Sequence, residues 1–231
     1  MLKVVKILFP KGYLGSKRFH EVVYCFMMNE SPSPGVSHFT MKYFLGFLLI
    51  LIIILLNFKL LIFDYNFYEK NSENNPDFNK EIIINLINYL ANKENLNNKS
   101  YTSEEIFHLE DVKLLINKVL MIFYFLLILF FLLILRYYKE LPKIFIIFGS
   151  FFIILGLIML LINFSKLFYN FHLIFFNNDL WLLSPETTLI KLFPEIFFKR
   201  FIEAILVRSF FISLILMFIG SIMRFKGIFR A

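Results

Sequence analysis

Residues Val119–Leu135 read VLMIFYFLLILFFLLIL, a run without a single charged side chain, and how this run is read decides the fold. Crossing a hydrocarbon core of about 30 Å takes roughly 20 residues in helical form. In lipid no water satisfies an unpaired amide or carbonyl, so such a run must be a helix. Working outward, Phe44–Phe63, Ile144–Ile162 and roughly Phe201–Ile222 are runs of the same kind. The whole chain agrees with them: 59% of its residues are hydrophobic, 33 are phenylalanine, and the mean hydropathy is +0.72. A soluble domain is apolar over only about half its length. The expected fold is an all-α membrane protein of four transmembrane helices over residues 41–231, with a small extracytoplasmic cap from outer loops 64–118 and 163–200.

Orientation follows from the basic residues, because short cytoplasmic loops carry the excess of Lys and Arg. Lys3, Lys6, Lys11, Lys17, Arg18 and Lys42 precede the first run. Arg136, Lys139 and Lys143 separate the second from the third, and Arg224, Lys226 and Arg230 follow the fourth. The stretch from Asp64 to Lys113 is instead dominated by acids. Both termini are therefore expected in the cytoplasm, in a multi-pass protein of the cell membrane. The net charge of +7 is divided among several cytoplasmic segments, which suits anionic lipid head groups as partners and not nucleic acid.

The single cysteine, Cys25, excludes a disulfide framework and a cysteine-rich metal site. As a lipid attachment point it lacks a preceding small residue and a leading apolar run. Residues 1–40 show no sustained periodicity and contain Ser31-Pro32-Ser33-Pro34, and are read as an extension, a disordered tail or an over-extended start ahead of Met41.

In the first outer loop, Phe78 to Lys93 places Ile83, Leu86, Ile87 and Leu90 on one helical face, between Asn-rich linkers. A second helix is expected from about Ser103 into the second span, capped by Thr102 or Ser103 with Glu104 or Glu105 in its first turn. His108 and Asp111 then share a face at i, i+3 spacing. The second outer loop gathers Trp181 with Phe171, Phe175, Phe176, Phe193, Phe197 and Phe198, aromatic residues suited to the head-group boundary. Pro185 and Pro194 prevent one continuous helix there, so this loop is expected to fold back along the outer face.

The charge pattern puts His108 and His172 on the same side of the membrane, each beside a boundary. A neutral imidazole can take a proton from an attacking group and return one to a leaving group. Asp111 can orient His108, while Asn177, Asn178 and Trp181 can donate hydrogen bonds to a developing oxyanion. Two other readings stand beside this one. Both histidines can be interfacial polar residues that satisfy nearby backbone, or can bind a metal together with Asp111 or Asp179, although no dense ligand spacing is present. No GxSxG or P-loop motif occurs, so neither a serine nucleophile nor nucleotide use is indicated. Arg208 lies within the fourth run, where a charge marks a cavity, a head-group site or a partner carboxylate, or else snorkels outward.

The segments HLEDVK at His108–Lys113 and HLIFFNNDLW at His172–Trp181, with Pro185, Leu189, Ile190 and the FPEIFF of Phe193–Phe198 following, resemble the lipoprotein intramolecular transacylase family over about Met41–Arg224. That resemblance implies an acyltransferase that needs no cofactor or metal and acts on a diacylated lipoprotein. The sn-2 acyl chain of its diacylglyceryl-cysteine would move to the cysteine's own α-amino group, giving a lyso-form lipoprotein. It further implies His108 and His172 as the acid–base pair with Asp111 in support, and Trp181 at the acyl site. Nucleophile and electrophile share one molecule, so positioning can replace a covalent intermediate. A non-enzymatic membrane scaffold or a small transporter is the alternative, although internal repeats and broken helices are not evident.

Overall fold

Helix α1 (Pro34–Ile62) contains the first long apolar run and starts ahead of it, inside the segment read as an extension. Proline suits that position, since its missing N–H falls where a helix leaves its donors unpaired. The computed structural model describes residues 34–72, 75–159 and 163–226, with no strand among them. The extension up to Ser33, including Cys25, lies outside the described residues, as do Leu160–Ile162 and Arg230.

The first outer loop carries α2 (Tyr65–Ser72), α3 (Lys80–Leu90) and a 3-10 turn at Asn98–Ser100. Helix α4 (Ser103–Tyr137) follows, then a 3-10 turn (Tyr138–Glu140) and α5 (Leu141–Met159). The second outer loop carries α6 (Phe164–Phe175) and α7 (Thr188–Leu192), and α8 (Glu195–Phe225) completes the fold.

Among the described residues, three helical stretches are long and apolar enough to cross a membrane: Met41–Ile62, Ser103–Phe152 and Glu195–Phe225. The middle stretch includes α4 and much of α5 across the 3-10 turn. Phe148 of α5 meets Gly46, and Phe152 packs with Ile50 and Ile53, so α5 runs in the same direction as α1. Gly220 of α8 faces Pro142, and Gly149 faces Ser213 and Met217, so α8 runs the opposite way along α5. Glycine at 220 allows this close approach: a Cβ there would lie 2.8 Å from the Pro142 carbonyl oxygen.

The lipid-facing surface carries Met121, Phe125, Ile128, Leu132 and Leu135 at helical spacing on α4, all exposed. Polar groups instead turn inward. Asn57 of α1 is 1% exposed and donates to the Ser209 hydroxyl of α8 at 3.1 Å and to the Ile53 carbonyl at 3.0 Å. In a medium without water, such bonds fix how two helices face each other.

The cap has its own core. Ile83, Leu86, Ile87 and Leu90, the apolar face read from the sequence, are buried with Phe67, Tyr68, Leu189, Leu192, Phe193 and Phe197. Burying each such aliphatic side chain contributes about 1.5–3 kcal/mol. Asn79 starts α3 by accepting from the backbone N–H groups of Glu81 and Ile82, a cap worth about 1 kcal/mol. Pro194 ends the loop as the N-cap residue of α8, which therefore begins at Glu195, ahead of the apolar run.

Candidate active site

Helix α4 opens with a capping box: the Thr102 hydroxyl accepts from the Glu105 N–H, and the Glu105 carboxylate accepts from the Thr102 N–H at 2.7 Å. One turn further on lies His108, within the charged segment Glu104–Lys118 that precedes the apolar run at Val119. His172 sits in the last turn of α6. Their rings meet with centroids 6.2 Å apart and an interplanar angle of 31°. His108 is 9% and His172 8% exposed.

Aromatic side chains build the walls. Trp181 stacks on His172 at 4.9 Å and takes the edge of Tyr169. Phe168 makes an edge contact with His172 at 4.5 Å. Phe176 touches both imidazoles, at 5.2 Å from His108 and 5.5 Å from His172. The sequence reading included Phe176 only in its aromatic pattern, and its position directly after the end of α6 is what brings it against both rings. Along the chain beside the two histidines, Phe107, Leu173, Ile174 and Phe175 are exposed apolar side chains.

The His172 Nδ1 lies 2.8 Å from the Phe168 carbonyl oxygen. A carbonyl only accepts, so Nδ1 carries the hydrogen and Nε2 of the neutral ring keeps its lone pair. Burial lowers the His172 pKa below the usual imidazole value, opposed by this backbone bond. His108 is pushed down to about 4, chiefly by burial and then by His172, while the charge of Asp111 pulls the other way. Its Nδ1 is buried without a hydrogen-bond partner among the described residues. Two neutral imidazoles at neutral pH are equipped to accept a proton and pass it on.

Asp111 takes a different partner from the one expected. Its carboxylate accepts from the Asn178 side-chain amide at 2.8 Å and makes no hydrogen bond to His108 among the described residues, because the second outer loop brings Asn178 over it. Asp111 therefore acts on His108 through its charge, and Asn178 bridges the two histidine segments. Asn178 also caps its own turn by accepting from the Leu180 N–H. Asn177 is exposed beside it. Arg208 lies 3.7 Å from the Asp64 carboxylate, a partly exposed pair beyond the end of α1. No group of three or more His, Cys, Asp or Glu side chains suited to a metal occurs among the described residues.

Glu105 was read only as a first-turn acid, but its second oxygen accepts from the Leu189 N–H of α7 at 2.7 Å. No local sequence signal could have shown a partner that far along the chain.

The family model for the lipoprotein intramolecular transacylase Lit matches residues 37–198. Comparison with curated proteins gives no match. The fold is shared with a solved structure of the membrane integral lipoprotein intramolecular transacylase Lit from Bacillus cereus, at TM-score 0.72 and 22% identity, covering 84% of this chain and 98% of that one. A form of the same protein with one histidine replaced by arginine matches at TM-score 0.66 and 21% identity, over 84% of this chain and 94% of that one. Another, with a histidine replaced by alanine, matches at TM-score 0.65 and 22% identity, over 84% and 96%. These likenesses favour neither a scaffold nor a transporter. The family match spans well over half the sequence, and the chain belongs to the lipoprotein intramolecular transacylase family, membrane-integral enzymes of acyl transfer.

Proposed function

We propose that this acyltransferase moves the sn-2 acyl chain of a diacylglyceryl-cysteine lipoprotein to the α-amino group of the same cysteine, leaving a lyso-form lipoprotein with an N-acyl chain. The carbonyl–oxygen ester bond breaks and a carbonyl–nitrogen amide bond forms. His172 Nε2 takes the proton from the attacking amine, and the imidazole pair returns it to the departing glyceryl oxygen. His108, low in pKa and beside His172, completes the relay. Asn177, next to the cluster, and Trp181, which stacks on His172, are assigned to the oxyanion and the acyl chain. Asp111 and Asn178 hold the two segments together. The Arg208–Asp64 pair, near the middle of α8 and just past the end of α1, is assigned to lipid head groups at the outer boundary.

In this reading α5 is a fourth span, both termini are cytoplasmic and the site faces outward. The reversed directions of α5 and α8 support the fourth span, and the distribution of Lys and Arg supports the orientation. A diacylated lipoprotein and the surrounding membrane lipids are the partners.

The observation that carries the assignment is the meeting of His108 and His172 at 6.2 Å, both buried. Mass spectrometry of lipoprotein N-terminal peptides, from cells with and without this chain, tests the reaction. N-acyl lyso peptides should appear only with the chain and should vanish in His108→Ala and in His172→Ala. Full conversion by both variants would overturn the acid–base assignment. Outside labelling of Asn95→Cys tests the orientation, and protection of that site would invert it.

A further inference from the structure

We propose that Glu105 is the positioning residue that holds His108 in register with the segment bearing His172, a role that rests on the acid–base reading above. Glu105 is 0% exposed. One of its carboxylate oxygens accepts from the Thr102 N–H and the other from the Leu189 N–H, both at 2.7 Å. It therefore caps two helices at once, the first turn of α4 and the first turn of α7.

The second cap is not redundant. The N-cap residue of α7, Thr187, makes no side-chain cap bond, and its hydroxyl donates to the Ser184 carbonyl instead. The carboxylate from α4 supplies the missing acceptor, and its negative charge meets the positive ends of both helix dipoles. Beside it the Thr188 hydroxyl donates to the Ser100 carbonyl at 2.8 Å, so the two outer loops join at two adjacent points. His108 lies one turn beyond Glu105 on α4, while α7 follows the loop that carries Trp181. Without the carboxylate, the buried Leu189 N–H and the partly buried Thr102 N–H lack their acceptor, and the loop is free to shift against the His108 turn. A misplacement of about 1 Å is enough to cost an enzyme about 100-fold in rate.

The test uses the full chain with Glu105→Ala and Glu105→Gln, the latter keeping one acceptor oxygen. Expected is a fall in kcat per folded molecule of about 30-fold for Ala and about 5-fold for Gln, with KM changed less than about threefold. The second readout does not need activity. Spin labels at Glu110→Cys and Leu182→Cys, both exposed sites, on a Cys25→Ser background report the distance between the two segments. That distribution should broaden in Glu105→Ala, and less in Glu105→Gln. If Ala does not fold, Gln alone carries both measurements. Wild-type kcat in the folded variants overturns the proposal, as does a sharp distribution accompanied by lost activity. If the wild type performs no transacylation, the acyl-transfer reading fails while the distance measurement still decides whether Glu105 holds the segments together.

Discussion

His172 donates its Nδ1–H to the carbonyl of Phe168, one turn earlier on the same helix, at 2.8 Å. The bond fixes ring orientation and tautomer together, and it leaves Nε2 as the nitrogen able to accept a proton. His172→Asn keeps a donor near the Phe168 carbonyl and removes that second nitrogen. This variant should fold, with a lower melting temperature from the lost ring contacts, and lose about 10²–10⁴-fold in kcat per folded molecule. Retained turnover would assign the base elsewhere.

Acid should act on the histidines in a defined window. Free imidazole titrates near about 6.5, whereas burial depresses the folded-state values of both residues, that of His108 to about 4. Below about 6.5 the unfolded chain binds more protons than the folded one, so stability rises with pH across this range. The contribution is complete above about 6.5 and is lost as pH falls toward the folded value. NMR of ring-labelled histidine should show His108 neutral at about pH 6.5 and a His172 midpoint below the free value. In Asp111→Asn, with an upward influence removed, the His108 midpoint should fall further. A midpoint above the free value would contradict the buried setting.

The bond from Asn178 to Asp111 joins the two histidine-bearing segments near the surface. Because the pair is partly exposed, its coupling should be modest, about 1 kcal/mol in a double-mutant cycle of Asn178→Ala and Asp111→Ala read by unfolding. Simple additivity of the two variants would show that the bond does not join the segments in solution.

The contact of α5 with α8 leaves no space at Gly220, where an added Cβ would meet Pro142 and Phe145. Gly220→Val should cost about 1–3 kcal/mol through overpacking, seen as a lower melting temperature in detergent. A variant as stable as the parent would mean that these helices pack less tightly.

Much of this was legible because membrane spans and helix starts are local. The uncharged run from Val119 announces its helix, and Thr102 with Glu105 marks where α4 begins. The HLEDVK and HLIFFNNDLW segments carry the family resemblance without any knowledge of distance. Other features were hidden for physical reasons. Helix α6 puts Phe164, Leu167, Phe168, Phe171, Ile174 and Phe175 on one face, a local pattern that does not say which distant segment its His172 meets. Lys199 and Arg200 fall in the expected second outer loop, yet they lie on α8, which begins ahead of the apolar run. The partners of Arg208, Asp111 and Glu105 are each distant along the chain, and only folding brings them near.

The amide of Asn57 has a consequence for biogenesis. Its side-chain partner, the Ser209 hydroxyl, belongs to the last long helix. During synthesis the first helix must therefore wait in the bilayer with that interhelical bond unmade until nearly the whole chain has emerged. A truncated product would keep an amide turned toward lipid, a flaw that membrane quality control can recognise, and completion of the polypeptide is what conceals it.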